Sequence, residues 1–301
     1  MADQKNGISY LQPNGKTWNV ALGCSPVSAG CANCWAKGMV RRIEAAQDSS
    51  HATVTCTGQW NGEICLRPDW LSKPLHWRKP LVILVQTLGD LFHEGVPFSY
   101  VAAVYGVMAA CPQHTFLVLT KRPERMRAFY EWLDRQPPVR EPLLECNHQA
   151  LQAEIEFGED SQPLAMKYCA DPDGPWPPPN VWAGISAEDQ ATLDERWDAL
   201  GNVAAARYWL SLEPMLGPIT ELSASTGMFP GFTAVGCETG TSARPCDVEW
   251  IRSVVRQCQD AHVPVHVKAV PILTANRNIG ISHNPLEWPE DLRGRDEVPR
   301  G

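Results

Sequence analysis

The chain has 301 residues, with 26 basic and 34 acidic side chains, a formal net charge of −8 and 44% apolar content. That composition excludes a chain disordered throughout, and the acidity argues against a protein that coats nucleic acid by bulk positive charge. The length suits one α/β barrel of roughly 200–250 residues with insertions.

Short apolar runs, each closed by a polar or glycine-containing turn, read as buried parallel strands at 18–22, 81–88, 115–119, 181–185, 207–212, 233–235 and 263–267. Helical patterns lie between them at 31–46, 99–110, 123–135, 188–201 and 247–261. The βα alternation predicts an α/β fold on a parallel sheet, open or closed into a barrel, in a single domain over 1–301. Two segments interrupt it: an irregular, Thr/Gly/Trp/Pro-rich excursion at 47–80, and an insertion at 128–178. The insertion holds ten acidic residues against three basic ones, a net −7, and ends on the stiff run Pro175-Trp176-Pro177-Pro178-Pro179. The barrel proper is therefore close to neutral, which reopens a nucleic-acid substrate. A polar tail is expected at about 279–301.

The start of the chain is polar, and the longest apolar stretch, 100–111, falls short of the ~18 residues a membrane span needs. The expectation is a cytoplasmic protein with no membrane contact, where thiols stay reduced. Clustered cysteines then point to metal or catalysis before disulfides. Of 11 cysteines, Cys24, Cys31 and Cys34 form C-x6-C-x2-C directly after the first strand. Three soft ligands on one loop suit an iron–sulfur cluster with an open iron, or a zinc site with a fourth ligand such as Cys56, Cys65 or a histidine. Spacing alone admits both.

Polar residues recur at the ends of the later strands: Asp90, Lys121 and Arg122, Ser186 and Glu188, Glu213, Glu238 with Arg244, and Lys268. In a parallel barrel such residues converge on one mouth. Each has a local alternative. Ser186 could cap the following helix, with Asp189 completing a capping box; Asp90 could be a turn residue; Lys121 and Arg122 could be a solvated pair, although cations oppose the dipole at a helix start.

Taken together, GCSPVSAGCANCWA, PLHWRKP, GDLFHE, LTKRPERM, NVWAGISAED, SLEPMLGPI and VGCETGTSARP, in that order, resemble the phage-associated three-Cys-motif family, which is radical-SAM-like. The resemblance implies a partial (β/α) TIM-like barrel of the radical SAM type. It implies that Cys24, Cys31 and Cys34 hold a [4Fe-4S] cluster, and that S-adenosylmethionine binds its open iron and yields a 5′-deoxyadenosyl radical. Asp90 would accept the cofactor's ammonium, Lys121 or Arg122 its carboxylate, and Ser186 or Glu188 its ribose hydroxyls. Glu213, Glu238 and Arg244 would contact the substrate or anchor the cofactor, and Lys268 would face the substrate, a nucleotide, a nucleic acid or another phage-relevant molecule. An electron donor and a partner protein are expected. The chain departs from the usual radical SAM pattern in two places. The first cysteine gap is six rather than three, and Cys237 stands where a Gly-Gly-Glu run has its second glycine. The competing expectation is a non-catalytic, zinc-stabilised interaction protein using the same cysteines.

Overall fold

The structure is a computed structural model and describes residues 15–46, 54–56, 58–135, 142–157, 174–273 and 279–299. In chain order the strands are β1 (Gly15–Trp18), β2 (Ala21–Leu22), β3 (Thr55–Cys56), β4 (Gln59–Trp60), β5 (Cys65–Leu66), β6 (Val82–Val85), β7 (Thr115–Thr120), β8 (Val181–Ser186), β9 (Arg207–Met215), β10 (Thr233–Cys237), β11 (Val265–Leu273) and β12 (Ile279–Ser282). The helices are α1 (Trp35–Ala46), α2 (Phe98–Ala109), α3 (Pro123–Asp134), α4 (Pro142–Phe157), α5 (Gln190–Leu200) and α6 (Val248–Asp260).

Eight strands form one curled sheet in the order β1-β6-β7-β8-β9-β10-β11-β12. All neighbours are parallel except β12, which runs antiparallel to β11. This is a mixed α/β half-barrel, compatible with the expected partial (β/α) barrel. β8 is buried at every position, as a strand covered on both faces must be. Its outward side chains, with those of β6, β7, β9 and β10, pack beneath the helices. Inside the curl, Leu84, Leu117, Trp182, Trp209, Phe232 and Ala234 make a separate apolar cluster. Trp209 is among its largest side chains. Its indole lies over Gly184, where a Cβ would collide with the ring, and its Nε1 donates to Val118 O at 3.1 Å. Trp182, Trp209 and Ala234 lie early in their strands and Phe232 just before β10, so the cluster closes the floor of the half-barrel and leaves the C-terminal ends open.

The first strand differs from the expected 18–22. β1 ends at Trp18, and β2 leaves the main sheet to pair antiparallel with β5. Two side chains cause the break. Asn19 Oδ1 accepts from the backbone N–H groups of Thr87 and Leu88, and Gln86 Oε1 accepts from Val20 and Ala21 N–H. Gln86 does so with φ of 60°, a left-handed conformation rare for a non-glycine residue. The first helix begins at Trp35 rather than at 31, because residues 29–31 form a single 3-10 turn.

Within the acidic segment 128–178 the chain builds α4, a helix the sequence pattern did not mark. Glu145, Cys146 and Asn147 are buried on its inner side, against α2. Gly106 permits the approach, since a Cβ there would stand 2.5 Å from Cys146 O. That is why α2 is buried nearly all round. Residues 136–141 and 158–173 of the insertion, 47–53 and 57 of the excursion, and the last two of the tail lie outside the described residues. No described helix is long and apolar enough to cross a membrane.

The cap of α5 is Asp189, not Ser186. Asp189 Oδ1 accepts from Thr192 N at 2.9 Å, and Thr192 Oγ1 accepts in return from Asp189 N at 3.2 Å. Ser186 Oγ instead donates to Glu213 O at 3.0 Å, one strand away. Asp189→Ala is therefore expected to lower stability by about 1 kcal/mol in urea unfolding. Equal losses from Ser186→Ala and Asp189→Ala would contradict this assignment.

Candidate functional site

The open mouth of the half-barrel holds a cavity of about 230 Å³. Its wall includes Cys24, Cys31 and Cys34 from the loop after β2, and Asp90 from the loop after β6. Lys121 and Arg122 after β7, Ser186 at the end of β8, Glu213 on β9, Glu238 after β10 and Lys268 on β11 complete it. Residues drawn from strand ends far apart in sequence thus meet at one place. Glu188 and Arg244 stand behind this lining and hold parts of it.

The cysteine loop is pinned from three sides. Gly23, at φ of 103°, lies against Glu63 O, where no Cβ would fit. On the second side, Arg122 donates through Nη2 to Ser25 O and Ser25 Oγ at 3.0 and 2.9 Å, and its Nη1 lies 3.9 Å from Cys24 Sγ. Asp90 sets that guanidinium. Its carboxylate accepts from Arg122 Nη1 at 3.1 Å and from Thr120 Oγ1, Lys121 N and Phe92 N. Four donors on one carboxylate make Asp90 the holder of Arg122 and of the turn, which is its local reading. His93 adds to the same corner. Its Nδ1 accepts from Gly95 N, so the hydrogen sits on Nε2, which donates to Ser25 Oγ at 2.8 Å.

On the third side lies Glu188, fully buried. Its Oε1 accepts from Gly30 N at 3.1 Å, and its Oε2 from Lys121 Nζ at 3.1 Å and Arg196 Nη1 at 3.0 Å. Burial opposes its ionisation, yet the Lys121 and Arg196 cations and the hydrogen bonds outweigh burial and hold the carboxyl at about 2. A Cβ on Gly30 would stand 2.6 Å from Lys121 Nζ and 3.1 Å from the Glu188 carboxyl, so a side chain there would push the Lys121 ammonium aside. Further round the rim, Arg244 forks onto Glu238 at 2.5 and 2.8 Å and donates to Ala29 O at 2.9 Å. Asn33 Nδ2 joins Glu238 Oε2 at 3.0 Å. The loop after β10 is thereby tied to the cysteine loop, and Arg244 holds the Glu238 carboxyl at about 2 against its partial burial.

Burial raises the Cys24 thiol to about 12 and shifts Cys34 upward too. Cys31 moves the other way: against burial, the Lys121 ammonium and hydrogen bonds from its own turn draw it below the ordinary thiol value. The loop thus offers one thiol biased toward thiolate and two that a bound cation would have to deprotonate. Neither Cys56 nor Cys65 lines the cavity. Among the described residues no three His, Cys, Asp or Glu side chains stand at the spacing of ligands to a single ion. Cys237, also in the wall, is buried beside Cys246, and that contact together with burial pushes its thiol far up.

The residues that sequence reasoning missed are Arg196, Asn33 and Ser211. Asn33 lies inside the cysteine motif, and its neighbours were signal enough. Arg196 had none, since it reaches Glu188 from across two turns of α5.

A family model described as protein of unknown function (DUF5131) matches residues 6–278. No curated protein and no solved structure matches the chain.

Proposed function

The chain belongs to that family of unknown function, and we propose that it is a radical SAM-type enzyme of the phage-associated three-Cys kind, acting on a nucleotide or nucleic acid. The observation that carries this reading is the meeting of three cysteines from one loop with the charged strand ends, in one cavity at the C-terminal mouth of a parallel half-barrel. That is where such folds place their chemistry.

The residues suit a [4Fe-4S] cluster. The three thiols share one wall, Arg122 stands beside Cys24 and Lys121 biases Cys31 toward thiolate, so developing negative charge on sulfur meets two fixed cations. A single zinc ion, with Zn–S near 2.3 Å, requires ligands within about 4 Å of one another. A cubane binds each thiol at a separate iron and accepts a wider spread. With S-adenosylmethionine, the cluster would supply one-electron reductive chemistry leading to hydrogen abstraction. The chain's part is to position and to shield. Glu188, Lys121 and Arg122 fix the cysteine loop, and Ser186 and the Glu238–Arg244 pair border the space for the cofactor. Glu213 and Lys268 stand on the β9–β11 side. Reductive chemistry calls for an electron donor and a reducing compartment such as the cytoplasm, and a partner protein belongs to the same proposal.

The test is anaerobic reconstitution with iron and sulfide. We expect a brown protein with about three to four iron atoms per chain and cleavage of S-adenosylmethionine to 5′-deoxyadenosine. Cys24→Ala, Cys31→Ala and Cys34→Ala should each reduce bound iron to background while the circular dichroism spectrum is retained. A colourless protein that binds zinc, shows no cleavage and unfolds on loss of these cysteines would replace this reading with the zinc-stabilised interaction protein.

A further inference from the structure

We propose that the β9–β11 wall of the cavity recognises the lactam edge of a nucleobase, the adjacent N–H and C=O of a uracil, thymine or guanine ring, through Glu213 and Lys268. The inference rests on reading this cavity as a substrate chamber and names the chemistry of what it takes.

Val235 of β10 pairs with Leu212 of β9 and with Val267 of β11, so Glu213 and Lys268 follow at matching heights on either side of Gly236. Both registers slip after Val235, and the gap left by the glycine is where the two side chains meet. A Cβ on Gly236 would stand 3.2 Å from Glu213 Oε1 and 3.3 Å from Lys268 Cβ. Lys268 Nζ donates to Glu213 Oε2 at 3.1 Å, and Ser211 Oγ donates to the same oxygen at 3.3 Å. The other oxygen, Oε1, is buried and has no hydrogen-bond partner. A buried acceptor left unmet is destabilising, and functional sites are where such atoms recur. Lys268 spends one of its three N–H donors on Glu213.

The pair therefore sets an unpartnered acceptor beside spare donors; Oε1 is sheltered against Gly236, so the Glu213 carboxyl must turn toward the cavity for a ligand to reach it. The complementary group carries an N–H donor and an acceptor side by side, pointing the same way. A trans peptide bond points its N–H and C=O in opposite directions and does not match. An anionic group would meet the Glu213 carboxylate. A lactam ring matches, because the ring holds its amide cis. Its acidic ring N–H suits a carboxylate and its carbonyl oxygen suits an ammonium, both as charge-assisted bonds. The amino-and-ring-nitrogen edges of adenine and cytosine offer weaker versions of each. Leu84, Leu119 and Pro214 supply apolar surface to the same cavity for a flat ring.

The experiment is calorimetric titration of the purified full chain, with its iron content measured, using uridine, 3-methyluridine, adenosine and single-stranded tetrathymidylate. We expect uridine or the oligonucleotide to bind. Methylation of N3 should weaken uridine binding by at least about tenfold, since a site built around a hydrogen bond rejects a ligand lacking it. Glu213→Gln should erase most of that discrimination, with the thermal midpoint recorded to separate a folding defect. Binding of uridine identifies a free nucleoside as the source, and binding of the oligonucleotide alone identifies a strand. Equal binding of uridine and 3-methyluridine, preference for adenosine, or no binding by any of the four overturns the proposal. An iron-free protein that still discriminates N3 methylation would keep this pocket and remove the radical reading. An iron-loaded protein blind to the methyl group would do the reverse.

Discussion

Glu188→Ala is expected to destabilise the fold by roughly 3–5 kcal/mol, the usual penalty for removing one member of a buried ion group. The side chain has no exposure and is shared by three donors. Its loss leaves Lys121 and the buried Arg196 adjacent without a counter-charge, and leaves Gly30 N without its acceptor. The destabilisation comes from those orphans more than from the pair's intrinsic worth, because desolvating the ions already offsets much of their attraction. Glu188→Ala combined with Arg196→Met should therefore be less destabilising than the sum of the two single changes, a coupling a double-mutant cycle reads directly. Strict additivity would contradict the triad. The pH dependence has a definite sign. Glu188 and Glu238 both ionise near 2 in the fold against an ordinary 4.5. Their contribution is complete above about pH 4.5 and is lost as pH falls from there through 2. The unfolding midpoint of the wild-type chain should fall across that window, and that of Glu188→Ala should fall less.

The strand–helix alternation, and with it the convergence of Asp90, Lys121, Arg122, Ser186, Glu213, Glu238 and Lys268, was legible because each follows an apolar run and parallel strands point their ends the same way. What each side chain does there was not legible. Asp90 reads as a ligand for an ammonium until the structure shows it holding Arg122. Glu188 reads as a ribose contact until it is found walled in by Arg196, a residue with no local mark of function. Such pairings depend on which helix covers which strand end, and nothing within a few residues encodes it. α4 was missed for a related reason. Its acidic composition resembles that of a solvated excursion, while its buried stretch from Glu145 to Asn147 is short and answers to Gly106 on another helix. The break after Trp18 was hidden because Asn19 and Gln86 act across the sheet on each other's strands.

Trp209→Ala should lower stability by about 3–5 kcal/mol, at the upper end for a core truncation. The indole is fully buried, it donates to Val118 O, and the residue facing it is a glycine. Gly184 has no side chain to move into the vacated space, so filling the hole falls to Leu117, Trp182 and Phe232, which are themselves buried. Val118 O would also lose its donor. The complementary change, Gly184→Ala, should be destabilising by overpacking, about 1–3 kcal/mol, because its Cβ falls on the ring. Gly184→Ala with Trp209→Leu should then be less damaging than the sum of the single changes, since the smaller side chain makes room for the methyl group. Urea unfolding with linear extrapolation measures all of these. A neutral Gly184→Ala would mean that the indole is not wedged there. The consequence reaches the site as well. Trp209 lies on the same inward face of β9 as Ser211 and Glu213, one alternation below the other, so the ring that seals the floor also sets how deep the polar wall can begin. Opening that floor should loosen Glu213 and Lys268 while the cysteine loop, held by Arg122 and Glu188 from β7 and β8, keeps its place. A Trp209→Ala protein that binds iron normally but loses nucleoside affinity would separate the two halves of the cavity by their supports.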